Sequence, residues 1–396
     1  MTCVACFDII AAMKTIGILI ERQRAYGRRL CQGIVRFAEE RKDWMLKMIE
    51  FPELDQLLRK SACDGFIARV MNSKIASSLQ NTGKPVVDVF FEKAIPGFAV
   101  ADQNARIVGQ MAARHFIEHR FSNFAFCGYD GRSYSDGRRD GFVRSLRLNH
   151  FDCHCYPTPP SALKNFENSV VMSERFGSPA DARQILKWLK KLPKPIALFC
   201  AHDMRAYQVC EICRANGIRV PEEVAILGVD DDELVCNFTN PPISSIDQNP
   251  IGIGYAAAKT LQKMFDSPGT VPDVIRVKPI KLSERGSTRI YPINPSWLSD
   301  ALVFIRANIS KRISAADVYS HVGRSHTLVD NAFKKTLGTS VQKEISRTRL
   351  NEARRLLDST PMPLSKIADA CGYSSLQYFS TSFLKAFGKS PSAFRA

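Results

Sequence analysis

Seven basic side chains near the C-terminal end, Lys334, Lys335, Arg347, Arg354, Arg355, Lys385 and Lys389, are of the type that neutralises phosphates. Between Leu298 and Ala396 stand fifteen Lys and Arg against seven Asp and Glu, a net +8 that is half of the formal +16 in about a quarter of the chain. Such a concentration supplies sequence-independent, salt-sensitive affinity for a polyanion. A charge run alone is usually a solvated surface, so its meaning depends on the elements beneath it. Metal chemistry is less well supplied. His150, Cys153, His154 and Cys155 crowd together, but they lack the second ligand pair of a zinc finger, and Cys-x-Cys alternation equally suits one face of a strand. Cys210 and Cys213 fall in a helix-like stretch where they pack rather than ligate, and Cys3 with Cys6 is an equally weak pair. Neither a metal nor a cofactor is expected. The acidic group Asp230 to Glu233 is explained more simply by ligand recognition than by a metal. At Gly17-Ile18-Leu19-Ile20-Glu21 there is no nucleophile elbow, P-loop or dinucleotide fingerprint, so an enzyme is not expected.

The basic residues lie on a motif that is written twice. Val318 to Ser325, reaching Phe333 and Gly338, is matched by Ile367 to Ser374, reaching Phe383 and Gly388. Each copy predicts a helix-turn-helix: a short helix ends at a glycine able to take positive φ, a serine caps a second helix, and Phe333 or Phe383 buries it. Between the copies, Val341, Ile345, Leu350, Ala353, Leu356 and Leu357 keep the spacing of one buried helical face, a helix that holds the two units apart. Two recognition helices in tandem suit neighbouring major-groove segments, about 34 Å apart for one turn.

Arg349 to Leu357, Ile367-Ala368, Cys371-Gly372-Tyr373, Tyr378-Phe379, Phe383 and Gly388 to Arg395 resemble the AraC/XylS family DNA-binding domain nearly position for position. The resemblance implies a transcription regulator, commonly an activator, with double-stranded promoter DNA and RNA polymerase as partners. Carried over by position, its DNA-facing residues are His326, Thr327, Asp330, Asn331 and Lys334 on the first recognition helix, and Leu376, Gln377, Thr381 and Lys385 on the second. Asn331 and Gln377 suit adenine, Asp330 suits cytosine N4, and Thr327 or Leu376 suits a thymine methyl.

Upstream, apolar runs at Thr15–Ile20, Gly65–Val70, Pro85–Phe90, Asn123–Cys127, Ala197–Cys200 and Val224–Gly228 alternate with helix-like stretches such as Arg106–His119 and Asp181–Lys191. That alternation predicts parallel sheets with helices on both faces, in two doubly wound lobes, with ligands beyond the carboxyl ends of the strands. The segments Val100–Gln103, His115–Ile117, Phe124–Gly128, Arg138–Phe142, Ala201–Ala206, Gly217–Asp231 and Pro242–Ile246 resemble the LacI/GalR sensor, a relative of periplasmic sugar-binding proteins, over residues 14–285. The resemblance implies a small ligand, usually a sugar, that bridges the lobes and shifts a population toward a closed form; joined to a reader of the AraC/XylS type, the sensor is expected to take xylose or a relative, with a different sugar or a non-sugar metabolite as the alternative. By position it implicates Tyr26, Asp102, Arg138, His202 and Asp230, with Glu21 and Gln103 as weaker candidates. His202 departs from the small polar residue common there. Asp203 is expected to cap the following helix, and Asp231, Asp232 and Glu233 to favour a helix N-terminus.

The expected architecture is therefore a two-lobed α/β sensor of periplasmic-binding-protein type, followed by an all-α domain with two helix-turn-helix motifs. Residues 1–13 are an extension, 14–285 the sensor, 286–297 a polar linker stiffened by Pro292 and Pro295, and 298–396 the DNA reader. Ser296 or Ser299 is expected to cap the helix beginning near Trp297. A homodimer would place two readers on adjacent half-sites. No apolar run approaches the roughly eighteen residues of a membrane span, no basic n-region marks a secretory signal, and cysteines scattered through apolar segments fit a reducing cytosol. A cytoplasmic protein follows.

Overall fold

Runs with no polar face become strands buried on both sides: Gly65–Ala68 (β3), Phe124–Cys127 (β6), Ile196–Cys200 (β8) and Val224–Val229 (β9), as sheets covered by two layers of helices require. The computed structural model describes residues 13–50, 62–158 and 179–395. Two units make up the chain: residues up to His115 with Ser122–Thr288, and Phe116–Phe121 with Arg289–Ala396. Most of the expected N-terminal extension, and Cys3 with Cys6, lie outside the described residues.

The first unit carries two six-stranded sheets. The first has Lys14–Leu19 (β1), Trp44–Met48 (β2), β3, Val86–Asp88 (β4), Phe98–Gln103 (β5) and Ile275–Val277 (β11) in the parallel order β11-β5-β4-β3-β1-β2. The second has β6, His154–Cys155 (β7), β8, β9, Ser244–Asp247 (β10) and Lys281–Ser283 (β12) in the order β12-β10-β9-β8-β6-β7; only β12 runs antiparallel. The chain thus crosses between lobes three times. Period-two alternation divides the first sheet's residues. Ile16, Ile18, Ile67 and Val87 face helices Ala25–Arg41 (α1) and Pro250–Asp266 (α8), whereas Leu19, Phe66 and Val86 face Ser73–Gln80 (α2). In the second lobe, helices Pro179–Leu189 (α5) and Asp203–Ala215 (α6) cover Ala125, Leu198 and Ile226. Cys210 and Cys213 belong to that core.

Helices Ala105–Glu118 (α3) and Ser133–Arg147 (α4) meet through glycines. A Cβ on Gly109 would lie 2.1 Å from the Arg138 carbonyl oxygen, and one on Gly141 2.1 Å from that of Arg106. No other residue allows this approach, and it fixes where Arg138 stands.

The second unit is helical: Ser296–Ala307 (α9), Ala315–Val322 (α10), His326–Ala332 (α11), Val341–Ser359 (α12), Leu364–Ala370 (α13), Leu376–Phe387 (α14) and Pro391–Arg395 (α15). α12 serves two cores. Val341 and Ile345 join Leu298, Leu302, Val318, Val329 and Phe333, while Ala353, Leu356 and Leu357 join Ile367, Phe379 and Phe383. Gly323 (φ 61°) and Gly372 (φ 71°) make the two turns, and Ser325 and Ser375 cap the helices that follow.

Two local expectations are corrected. α9 starts after Pro295 with no side-chain cap, and Ser299 Oγ instead accepts from the Tyr291 amide at 3.0 Å. Residues 286–288, expected to open the linker, form a buried 3-10 turn stitched into the second lobe: the Ser244 amide donates to Ser287 Oγ (2.8 Å), which donates to the Ile226 carbonyl (2.5 Å). Small hydroxyl residues look like a linker by composition, but here they satisfy buried backbone.

Candidate ligand cleft and nucleic-acid interface

The carboxyl ends of both sheets converge, where open α/β folds bind ligands. From the first lobe come Glu21 and Tyr26 around the β1–α1 connection, Arg69 after β3, Asp88 ending β4, and Asp102 and Gln103 ending β5. The second lobe contributes Tyr129 after β6, Tyr134 and Arg138 on α4, His202 after β8, Asp230 after β9 and Gln248 after β10. Contacts between the lobes bring these together. Arg138 Nη2 donates to Gln103 Oε1 and to Gln248 Oε1, both at 2.6 Å, and Nη1 donates to the Ala201 carbonyl. Arg29 of α1 pairs with Asp247 at 2.5 Å and donates to the Asp230 carbonyl at 3.3 Å. The Asp232 carboxylate accepts from the Ala25 amide at 3.4 Å, at the positive end of α1.

All five implicated residues fall in this region, in different states of commitment. Asp102 is buried and accepts from the amides of Gln103 (2.7 Å) and Phe91 (3.4 Å) and from Arg276 (3.3 Å); burial raises its pKa. Arg138 is saturated on most of its edge. Asp230 accepts from Gln248 through Oδ1 only, and burial pushes its carboxyl up to about 6 against the pull of Arg138, Arg24 and Arg69. Its backbone sits at φ 120°, a conformation costing about 1–3 kcal/mol in a non-glycine residue and characteristic of functional strand ends. The Tyr26 phenol is raised by burial and by Asp102 and Asp230.

The helix cap after β8 is His202, not Asp203: Nδ1 of His202 accepts from the Arg205 amide at 3.0 Å. Asp203 instead ties three elements together, accepting from Ser245 Oγ (2.5 Å), the Asp232 amide (2.9 Å) and Sγ of Cys236 on the short helix Glu233–Asn237 (α7) at 3.5 Å. Asp231 is likewise drawn from a helix end to β12, by Arg285 and Ser283 at 2.7 Å each. Glu21 forms a buried ion pair with Arg69. Below the site, Arg205 is wholly buried against Asp181 (2.6 Å) and Gln208 (2.6 Å), its guanidinium 4.2 Å from the Tyr129 ring centroid.

Sequence reasoning missed Arg69, Asp88, Tyr129, Tyr134 and Gln248. All except Tyr134 stand at or just beyond a strand's carboxyl end, so the strand-end rule would have found them once the expected strand at Pro85–Phe90 was ended at Asp88 and β10 was placed. His150, Cys153, His154 and Cys155 form no metal-binding group among the described residues. A groove of about 510 Å³ between α5 and α6, lined by Leu186, Tyr207 and Ile212 among others, shares none of the strand-end residues.

On the helical unit, His326, Thr327, Asn331 and Lys334 are exposed along α11 and its continuation, and Leu376, Gln377, Thr381 and Lys385 along α14. Asp330 is half-buried and accepts from the Tyr319 hydroxyl at 3.0 Å. Leu328, Tyr378 and Leu384 are exposed apolar residues on the same two helices and were not among the expected DNA-facing residues. Of the seven basic residues, Lys334, Lys335, Lys385 and Lys389 make no ion pair among the described residues, whereas Arg347 and Arg355 grip Glu344 and Glu352 in bidentate pairs and Arg354 lies 3.9 Å from Glu118. An arginine fork suits a planar carboxylate, so the arginines are taken and the lysines left.

A two-lobed sensor carrying two helix-turn-helix units is a transcription regulator, not an enzyme. The periplasmic binding protein-like domain family matches residues 113–288 and a helix-turn-helix domain family matches 319–396. Along nearly its whole length the chain is similar to the xylose operon regulatory proteins of Haemophilus influenzae (27% identity, covering 96% of this chain and 97% of that one) and Escherichia coli K12 (26%, 96% of each). A solved xylose-binding transcription activator shares 25% identity over 96% of this chain and 97% of its own, with a TM-score of 0.60. A LacI family regulator of Enterococcus faecium with bound ribose shares the fold of the sensor (19%, 71% of this chain and all of the other, TM-score 0.55). No described helix is long and apolar enough to cross a membrane.

Proposed function

We propose that this regulator binds a small sugar, xylose or a close relative, between its sensor lobes and in response activates a sugar-utilisation operon. The single observation that carries the reading is the convergence of Tyr26, Asp102, Arg138, His202 and Asp230 at the strand ends, in a chain similar throughout to xylose operon regulators. Asp230 supplies the open acceptor for a pair of hydroxyls, and Tyr26 offers an aromatic face. Asp102 and Arg138 act as the rigid frame that joins the lobes, each with little capacity left for ligand. Closure passes from the buried turn at 286–288 along residues 289–297 to the reader spanning 298–396. There His326, Thr327, Asp330, Asn331, Leu376, Gln377 and Thr381 meet base edges, while Lys334 and Lys385 meet phosphates. The working form is a cytoplasmic homodimer that recruits RNA polymerase.

Titration calorimetry with xylose, arabinose, ribose and lyxose tests the ligand class, with heat expected for at least one. Replacing Asp230 by Ala is expected to weaken that sugar by about tenfold or more, since hydrogen bonds to charged groups contribute about 1.5–3 kcal/mol. Absence of heat with every pentose counts against the reading. Electrophoretic mobility shift with promoter fragments, with and without the sugar, tests the coupling.

A further inference from the structure

The cleft holds two donors that the protein leaves without a partner. Tyr134, in the first turn of α4, is only 8% exposed, yet its hydroxyl makes no hydrogen bond. A buried hydroxyl in that condition is costly unless a bound molecule completes it. The Tyr134 ring centroid lies 6.3 Å from that of His202 and 5.3 Å from the Arg138 guanidinium, so it belongs to the same site. His202 is 7% exposed and commits Nδ1 to the Arg205 amide. A ring nitrogen that accepts carries no proton, so in the neutral imidazole the proton sits on Nε2. Burial, then Arg24, Arg205 and Arg138, hold the His202 pKa well below its ordinary value and keep the ring neutral. Tyr129 stacks on the ring at 5.4 Å and holds its plane, and a flip within that plane would cost the cap. His202 Nε2–H is therefore a fixed donor with no partner among the described residues. The charged groups around it are largely engaged inside the protein: Glu21 pairs with Arg69, Asp102 with Arg276, and Arg138 donates to the carbonyl oxygens of Gln103, Gln248 and Ala201, while Asp230 keeps one oxygen open.

We propose that the Nε2–H of His202 and the hydroxyl of Tyr134 together read one oxygen of the ligand and so determine which neutral polyhydroxy molecule the sensor accepts. The inference rests on the sugar reading of the cleft. A hydroxyl oxygen has two lone pairs and can accept from both donors at once. A ligand with hydrogen at that position leaves both donors buried and unmade, and one with an ammonium group there meets only donors.

The test uses the pentose that binds the full-length protein most tightly, together with its monodeoxy analogues, titrated calorimetrically into wild type, His202→Ser and Tyr134→Phe. Serine keeps an acceptor for the helix cap, and phenylalanine keeps the ring. Both variants are expected to bind the parent sugar about tenfold or more weakly than wild type. One analogue, lacking the oxygen that is read, is expected to bind all three proteins within about twofold, because the missing hydroxyl and the missing donor are one interaction. Equal affinity of wild type and both variants for the parent sugar overturns the proposal, as does the same loss for every analogue. Should His202→Ser fail to fold, Tyr134→Phe carries the same comparison. Wild type giving no heat with any pentose overturns the sugar reading itself, an outcome separate from an unselective loss.

Discussion

The sensor cleft and the DNA-facing surface use the same residue types in opposite ways. In the cleft, charged groups are buried and answered inside the protein, by Glu21 with Arg69, Asp102 with Arg276 and Arg205 with Asp181; what remains for a ligand is a few neutral, directional groups and the free oxygen of Asp230. On the reader, arginines are answered by glutamates, but Lys334, Lys335, Lys385 and Lys389 stand exposed. The first arrangement suits recognition of shape and hydroxyl placement in a small uncharged molecule. The second attracts a polyanion and leaves discrimination to the side chains between the lysines.

The sharpest way to break this comparison is to remove one arginine from each region. Arg205→Met strands a buried Asp181 and is expected to cost about 3–5 kcal/mol, whereas Arg355→Met removes a partner from a solvent-accessible pair and is expected to cost at most about 1 kcal/mol. Thermal unfolding of the two variants measures both, and similar losses would erase the distinction. Next, Lys334→Ala with Lys335→Ala should weaken DNA binding equally for operator and random duplex and lower the slope of log affinity against log salt by about 2. Asn331→Ala, in contrast, should cost about 1–3 kcal/mol on the operator alone. Fluorescence anisotropy across a salt series separates the two effects.

The last comparison concerns Asp88, which accepts from the amides of Val70 (3.1 Å) and Phe90 (2.9 Å) and is pushed up to about 8 by burial, with Asp102 adding and Arg69 opposing. Unfolded, the carboxyl titrates near 4. The folded protein therefore holds a proton that the unfolded chain releases, and the associated stability, full below about pH 4, is lost as pH rises toward 8. Asp88→Asn keeps the accepting oxygen and cannot ionise. Its stability relative to wild type should grow with pH across that window, by up to about 1.4 kcal/mol for each pH unit. A constant difference in urea unfolding between pH 5 and pH 8 would remove Asp88 as the cause.

Much of the fold was legible because its period is strong. β1, β3, β6, β8 and β9 are apolar runs, and the twin motif placed α10 to α14, down to the glycines at the turns. β5 and β10 were not legible as strands: Phe98–Gln103 ends in Asp-Gln and Ser244–Asp247 is mostly polar, yet both are fully buried because hydroxyls and carboxylates there bond to neighbouring backbone. The cleft was legible in part, for the same reason. Residues at strand ends follow from the topology, but Tyr134 lies on a helix and enters the site only through the close approach of α3 and α4 at Gly109 and Gly141. Nor could the sequence say that His202 would cap a helix, since histidine is not among the residues that favour that position.

The helix Val341–Ser359 carries a further consequence, because both hydrophobic cores of the reader are anchored to it. Adding or deleting one residue between Ile345 and Ala353 would turn one core about 100° relative to the other and move it about 1.5 Å. The angular phase between the two reading surfaces can therefore change only in coarse steps, with near-original alignment recovered after three or four residues, or after seven. Operators for proteins of this build are in that sense graduated by the pitch of an α-helix as well as by that of the duplex.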